Sequence, residues 1–116
     1  MIDIFSLSVE EMALKIKEGQ LTSVEICEKY IERIKKFEKD VKAWAYFDKK
    51  ILLEKAADAD EHRKSGKPVG SLHGVPVAIK DIIGTVDMPT ECGTPIRKGK
   101  SYSQNAEIVE LLHSAG

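Results

Sequence analysis

Nowhere does this sequence stay apolar for the roughly 18 residues that a bilayer-crossing helix needs. Nor does it carry charge of one sign. Eighteen Lys and Arg stand against nineteen Asp and Glu, a net charge of −1. That balance argues against a general electrostatic grip on nucleic acid or on an anionic membrane. The opening segment MIDIFSLSVEEM is acidic and lacks the basic-then-apolar plan of a secretion signal, so a cytoplasmic location is expected. Cysteine is scarce. Cys27 and Cys92 share no short spacing, which argues against a metal site or redox motif, and a disulfide between them is not expected in a reducing compartment. None of His62, His73 and His113 has a partner at metal-ligand spacing, and there is no phosphate-cradling glycine loop or G-x-S-x-G elbow. Repeats, low-complexity tracts and flexible linkers are also missing.

What remains is an ordinary globular composition, 42% hydrophobic and 32% charged over 116 residues, with one domain as the expectation. Ser8 and Glu11 form a capping-box pair that opens a helix over about 8–18, with Val9, Met12, Ala13 and Ile16 as its apolar stripe and Gly19 as its stop. Thr22 and Glu25 open a second helix over about 22–39, placing Ile26, Cys27, Tyr30, Ile31, Ile34 and Phe37 on one side. The run Ala43–Phe47 reads as a short strand. Asp48 caps a third helix over about 48–63, with Leu52, Ala56 and Ala59 facing inward. After a loop at 65–70 comes a second strand over 75–79. Asn105 is expected to cap a last helix over 105–114 with Ile108, Leu111, Leu112 and Ala115 as its stripe. Helices alternating with buried strands predict an α/β fold. The architecture looks incomplete, because a continuous apolar strand normally lies centrally with both faces covered.

The stretch HGVPVAIKDIIGT, residues 73–85, is the unusual one. It drives a lysine to the end of the most hydrophobic strand. Val75, Val77 and Ile79 would face one way and Pro76, Ala78 and Lys80 the other. Strand ends are where α/β sites collect, and a lysine partly desolvated there has its ammonium form disfavoured, which suits a proton carrier. The same residues also read as a solvated lysine and turn punctuation, and Asp81 as a turn or cap residue. Periodicity leaves both readings open.

The run SLHGVPVAIKDIIGTVDMPTECGTP, residues 71–95, resembles the first signature block of the amidase signature family, of the form L-x-G-[IV]-P-[IVF]-x-[IVL]-K-D followed by M-P-T and G-[ST]-P. NAEIVELLHSAG resembles the family's D-A-x-V-V-x-x-L-x-x-A-G helix, with Asn105 in place of the usual aspartate. The opening helices and VKAWAYFD are also similar to the family's N-terminal region, so the resemblance covers essentially the whole chain. It implies an N-terminal portion of the amidase signature fold, helices flanking part of a mixed β-sheet. It further implies that Lys80 is the base of a Ser–cis-Ser–Lys triad for amide hydrolysis or transfer, receiving a proton through a bridging serine. The glycine- and serine-rich segment that would carry both serines and the oxyanion-hole amides is absent from these 116 residues.

The expectation is therefore a segment of an amidase that contributes only the lysine and is inactive alone. Its partners would be a small-molecule amide substrate and the remainder of an amidase chain or another copy of itself, with no nucleic acid bound directly, no membrane and no cofactor. Two alternatives stand beside it. One is a non-catalytic remnant acting as a binding or regulatory module. The other is the A subunit of an amidotransferase, acting on glutamine for tRNA-linked amidation, although VKAWAYFD and MPTECGTP look nearer to general amidases. Cys92 lies in a loop near the expected pocket and reads as a bystander. With few strands to shield its apolar run, the isolated polypeptide is expected to be marginal or oligomeric.

Overall fold

Side-chain capping sets where the helices begin. In the computed structural model, which describes all residues 1–116, the Ser8 hydroxyl accepts from Glu11 N at 3.2 Å and the Glu11 carboxylate accepts from Ser8 N at 2.7 Å. This reciprocal box satisfies two otherwise unpaired donors and opens α1 (Val9–Lys17). Thr22 and Glu25 repeat the device at 3.0 and 2.7 Å and open α2 (Ser23–Val41). The Asp48 carboxylate accepts from Lys50 N and Ile51 N and opens α3 (Lys49–Lys64). A short α4 (Glu107–Ser114) follows a long irregular stretch, and single 3-10 turns lie at Ile4–Ser6 and Pro95–Arg97. Gly19, at φ +74°, ends α1 in a Schellman arrangement, with Gln20 N on Lys15 O and Gly19 N on Ile16 O.

The helices match the sequence expectation to within two or three residues at each end. The strands do not form. Residues 43–47 carry a bend and residues 75–79 run without regular structure, so the mixed sheet is not realised and the architecture is helices plus loop. The physical reason is that a strand is defined by its neighbour. Nothing within these residues lies alongside 75–79 to complete a ladder, and the amides of Val77, Ala78, Ile79 and Lys80 find no acceptor in the chain.

Three further expectations are corrected. Asn105 does not cap α4. Ala106 occupies that position without a side-chain cap, and the Asn105 side chain instead accepts from Val86 N at 2.9 Å and donates to Glu110 at 2.7 Å. On α4 itself the buried residue is Val109, whereas Ile108 and Leu111 are exposed. An error of one residue rotates the inward face by about 100°, and eight residues are too few to fix it by periodicity. Val9 and Phe37 are also exposed, and the Phe37 ring is met by the cationic ends of Arg33 and Lys36.

The core gathers Ile4, Met12, Ile16, Leu21 and Ile26, with Ile2, Leu7, Tyr30 and Val75 against it. α2 packs along α3, and this is the one extensive helix–helix contact. The core is thin, since only 15 of 116 residues are buried. The surface area agrees. A self-contained monomer of 12.9 kDa exposes about 6,300 Å² by the usual mass scaling. This chain exposes 8214 Å². Its Cα radius of gyration, 15.1 Å, likewise exceeds the value of about 13 Å that compact chains of this length show.

Candidate active-site segment

The approach to Lys80 is built from the helices upward. Asp60, on α3 and only 5% exposed, points its carboxylate across the helix pair at the start of α2. Its two oxygens accept from Ser23 N at 2.8 Å and Val24 N at 3.1 Å. These are helix N-terminal donors that nothing inside α2 can satisfy, and a carboxylate there also meets the positive end of the helix dipole. Ser23, thus fixed, donates its hydroxyl hydrogen to Gly74 O at 2.6 Å. Gly74 N in turn donates to Gly116 O at 3.1 Å and Leu72 N to Ala115 O at 2.9 Å. A turn six residues before Lys80 is therefore held from two sides, by the helix pair and by the end of α4.

Two glycines make this docking feasible. Gly74 has φ +75°, and a Cβ there would lie 3.2 Å from Ser23 Cβ and 3.3 Å from Ile16 Cγ2. A Cβ on Gly70 would sit 2.1 Å from Ala115 O, a backbone atom that cannot step aside. His73, between them, is buried, and its Nε2–H donates to Ala59 O at 2.7 Å. Its ring lies 5.2 Å from that of His62, whose Nε2–H donates to Pro68 O. The histidines thus serve as local struts, and no group of three or more His, Cys, Asp or Glu residues is placed to hold a metal ion.

Beyond the turn the chain runs without regular structure through Val75–Lys80, then folds back on itself. Ile83 N donates to Lys80 O at 2.9 Å. Asp81 does what its alternative reading as a turn residue implied. Its side chain accepts from Glu91 N at 2.8 Å and its carbonyl accepts from Cys92 N at 2.9 Å. Glu91 then accepts from Gly99 N, Thr90 N donates to Lys100 O at 2.7 Å, and Arg97 reaches the Thr90 carbonyl and the Tyr102 hydroxyl. Ala106 N closes the segment on Gly84 O at 2.9 Å. A loop whose one regular element is the 3-10 turn Pro95–Arg97 is thereby cross-tied at successive points, with Thr85 and Thr90 buried inside it.

Lys80 itself stands exposed at the lip of this loop, and its ammonium makes no hydrogen bond or ion pair within the chain. Cys92 is exposed nearby at φ +54°. Cys27 is core, as its helix face suggested, and burial pushes its thiol pKa up to about 11. Sequence reasoning missed Asp60 and Ser23. A signal existed for Asp60, which lies four residues beyond Ala56 and so continues the inward stripe of α3.

The chain matches the amidase family model over residues 25–116. It is 36% identical over 115 residues to the A subunit of the glutamyl-tRNA(Gln) amidotransferase of Streptomyces coelicolor, covering 99% of this chain and 23% of that protein. It is 42% identical over 106 residues to the protein of the same description from Lachnospira eligens, covering 91% and 22%, and 34% identical over 116 residues to that of Chloroflexus aurantiacus, covering 100% and 24%. The chain thus spans about a quarter of the length of these relatives. All three carry the amidotransferase description, so they do not favour the expected leaning of VKAWAYFD and MPTECGTP toward general amidases. In three dimensions, 95% of the chain superposes on 24% of a chain from a solved inhibitor-bound complex with a TM-score of 0.86 at 22% identity. That complex is described as an unexpected vestigial protein complex revealing the evolutionary origins of an s-triazine catabolic enzyme.

Proposed function

This chain belongs to the amidase family, and from that premise we propose that it forms the lysine-bearing part of a catalyst that cleaves carboxylic amide C–N bonds. One observation carries the reading. The 71–95 block holds Lys80 at the lip of a cross-tied loop, with its ammonium free of any partner in the chain. In the proposed reaction a serine hydroxyl attacks the amide carbonyl. Its proton passes through a bridging serine to the Lys80 amine, and a proton returns to the departing nitrogen. Both serines belong to sequence outside these 116 residues. Alone, the chain is inactive.

The substrate we propose is glutamine, with its side-chain amide as the nitrogen source for tRNA-linked amidation. The identity of 36% over nearly the full chain to the A subunit of an amidotransferase supports this over a general amidase. Association with further subunits follows from the same reading. The non-catalytic docking module is supported by the large exposed surface alone, and the catalytic assay separates the two.

The test is to combine the chain with the serine-bearing segment and follow ammonia release from glutamine and from a simple alkyl amide. Lys80→Ala is expected to lower the rate on the order of 10⁴-fold, as for other members of such triads. Lys80→Arg is expected not to restore it, because a guanidinium does not give up its proton. Unchanged turnover in Lys80→Ala would remove Lys80 from the mechanism. Faster reaction with the alkyl amide than with glutamine would overturn the substrate assignment alone.

A further inference from the structure

Away from the 71–95 block, three cations of different origin line one cleft. Lys17 is the last residue of α1, Arg63 lies in the last turn of α3, and Lys67 belongs to the loop that follows. The cleft they border has a volume of about 390 Å³, and only Pro68 and Val69 complete its lining. No acidic side chain lines it. None of the three cations takes part in an ion pair. The end of a helix favours a positive charge, which accounts for Lys17 and Arg63 as single residues. It does not account for Lys67, which is on no helix.

Nor does it explain how the Arg63 guanidinium is held. That group packs against the turn after α1 so closely that a Cβ on Gly19 would lie 3.1 Å from Arg63 Nη1. Its Nε is buried with no hydrogen-bond partner, the one buried side-chain polar atom of the molecule in that condition. A buried donor without an acceptor is costly, and an oxyanion drawn to the guanidinium would bring oxygens to the only side chain of the molecule left in that condition. A guanidinium presents a planar fork that fits two oxygens of one oxyanion, and lysines add point charge.

We propose that the Lys17–Arg63–Lys67 cleft binds a small multivalent oxyanion of the phosphate type. The volume lies at the low end for small-molecule sites, and the sparse apolar lining suits a compact, highly charged ligand over a largely hydrophobic one. The site is independent of the amide chemistry, since none of its residues lies in the Lys80 block. The phosphate chemistry could be presented by a small molecule or by a nucleic-acid backbone, and the cleft's size commits the proposal to the small molecule.

Calorimetric titration of the full chain with pyrophosphate at low ionic strength tests it, with a short single-stranded RNA as a parallel arm. Saturable one-to-one binding of pyrophosphate is expected. Arg63→Gln should weaken it about tenfold or more, as loss of a charged hydrogen-bonding partner does. Lys67→Gln, on a loop where loss of folding is not at issue, should weaken it about threefold, in line with one screened charge. Lys29→Gln, which removes a charge elsewhere, should leave it unchanged. No saturable binding at millimolar pyrophosphate would overturn the proposal. So would equal weakening in all variants, or Arg63-dependent binding of RNA without binding of pyrophosphate.

Discussion

Replacing Asp60 by alanine is the most direct test of how the helices hold the Lys80 segment in place. The wild-type carboxylate satisfies Ser23 N at 2.8 Å and Val24 N at 3.1 Å. Alanine leaves both donors without an acceptor, in a place where Ser23 is 2% exposed. Loss of a capping side chain costs about 0.5–2 kcal/mol, and stranding a buried donor adds about 1–3 kcal/mol. We expect about 3 kcal/mol in total for Asp60→Ala, the middle of those ranges combined. Asp60→Asn keeps one acceptor oxygen and should cost roughly half as much. A chain of this length has about 5–6 kcal/mol to lose at the lower end of the usual range, where a thin core places it. Urea unfolding followed by far-ultraviolet circular dichroism should show the midpoint falling by about 2 M in the alanine variant, given the slope usual for small proteins. A second signature is specific to the chain of contacts. Because Ser23 Oγ holds Gly74 O, amide resonances of residues 73–75 should shift in the variant while those of the α1 capping box stay. A midpoint unmoved by Asp60→Ala would show that the carboxylate does not organise the start of α2.

Other consequences follow from the same structure. Gly74→Ala forces a side chain into φ +75° and against Ser23 and Ile16, and should lower stability by about 1–3 kcal/mol in the same unfolding assay. A thiol reagent at neutral pH should label Cys92 at once and Cys27 only in denaturant, since burial raises the Cys27 pKa to about 11; simultaneous labelling would contradict the buried assignment. Asp87 has its pKa lowered, first by its hydrogen bond to Lys55. Its contribution is therefore present above the ordinary value of 3.8 and lost as pH falls through the lower folded value. Lys55→Met should flatten that acid limb by less than about 1 kcal/mol, because the pair is largely exposed. Finally, the surface of 8214 Å² exceeds the monomer expectation by about 1,900 Å², more than twice what one partner contributes to a standard interface. Sedimentation of the isolated chain should show self-association at micromolar concentration, and a stable monomer would refute that expectation.

What the sequence disclosed and what it concealed divide along a physical line. Helix starts were legible because a cap is local: Ser8 with Glu11, Thr22 with Glu25 and Asp48 each act within three residues. The helical faces were legible where the stripe was long, as for Met12 and Ile16 or Ile26, Cys27 and Ile31. The eight-residue α4 gave too short a stripe, and Val109 rather than Ile108 and Leu111 turned inward. The strands expected at 43–47 and 75–79 do not form because apolar β-prone residues report a preference, whereas a strand needs a second chain segment beside it. Asn105 looked like a cap and is a tie to Val86, a contact across nineteen residues that no window reveals. Lys80 stands out by its position after an apolar run, but its proposed role rests on the resemblance of the surrounding block. Lys17 lies far along the chain from Arg63 and Lys67, so only folding brings the three cations of the cleft together.

The run from Val77 to Lys80 has a consequence for how this polypeptide can be watched. Four consecutive peptide hydrogens there point to no acceptor in the chain. They should trade with deuterated solvent close to the intrinsic rate, while those inside α2 trade slowly. Any segment that lays itself alongside as a β-strand must quench that trade, residue by alternate residue. The lysine thus sits at the end of its own isotopic meter, one whose slowing would time the arrival of a neighbouring strand.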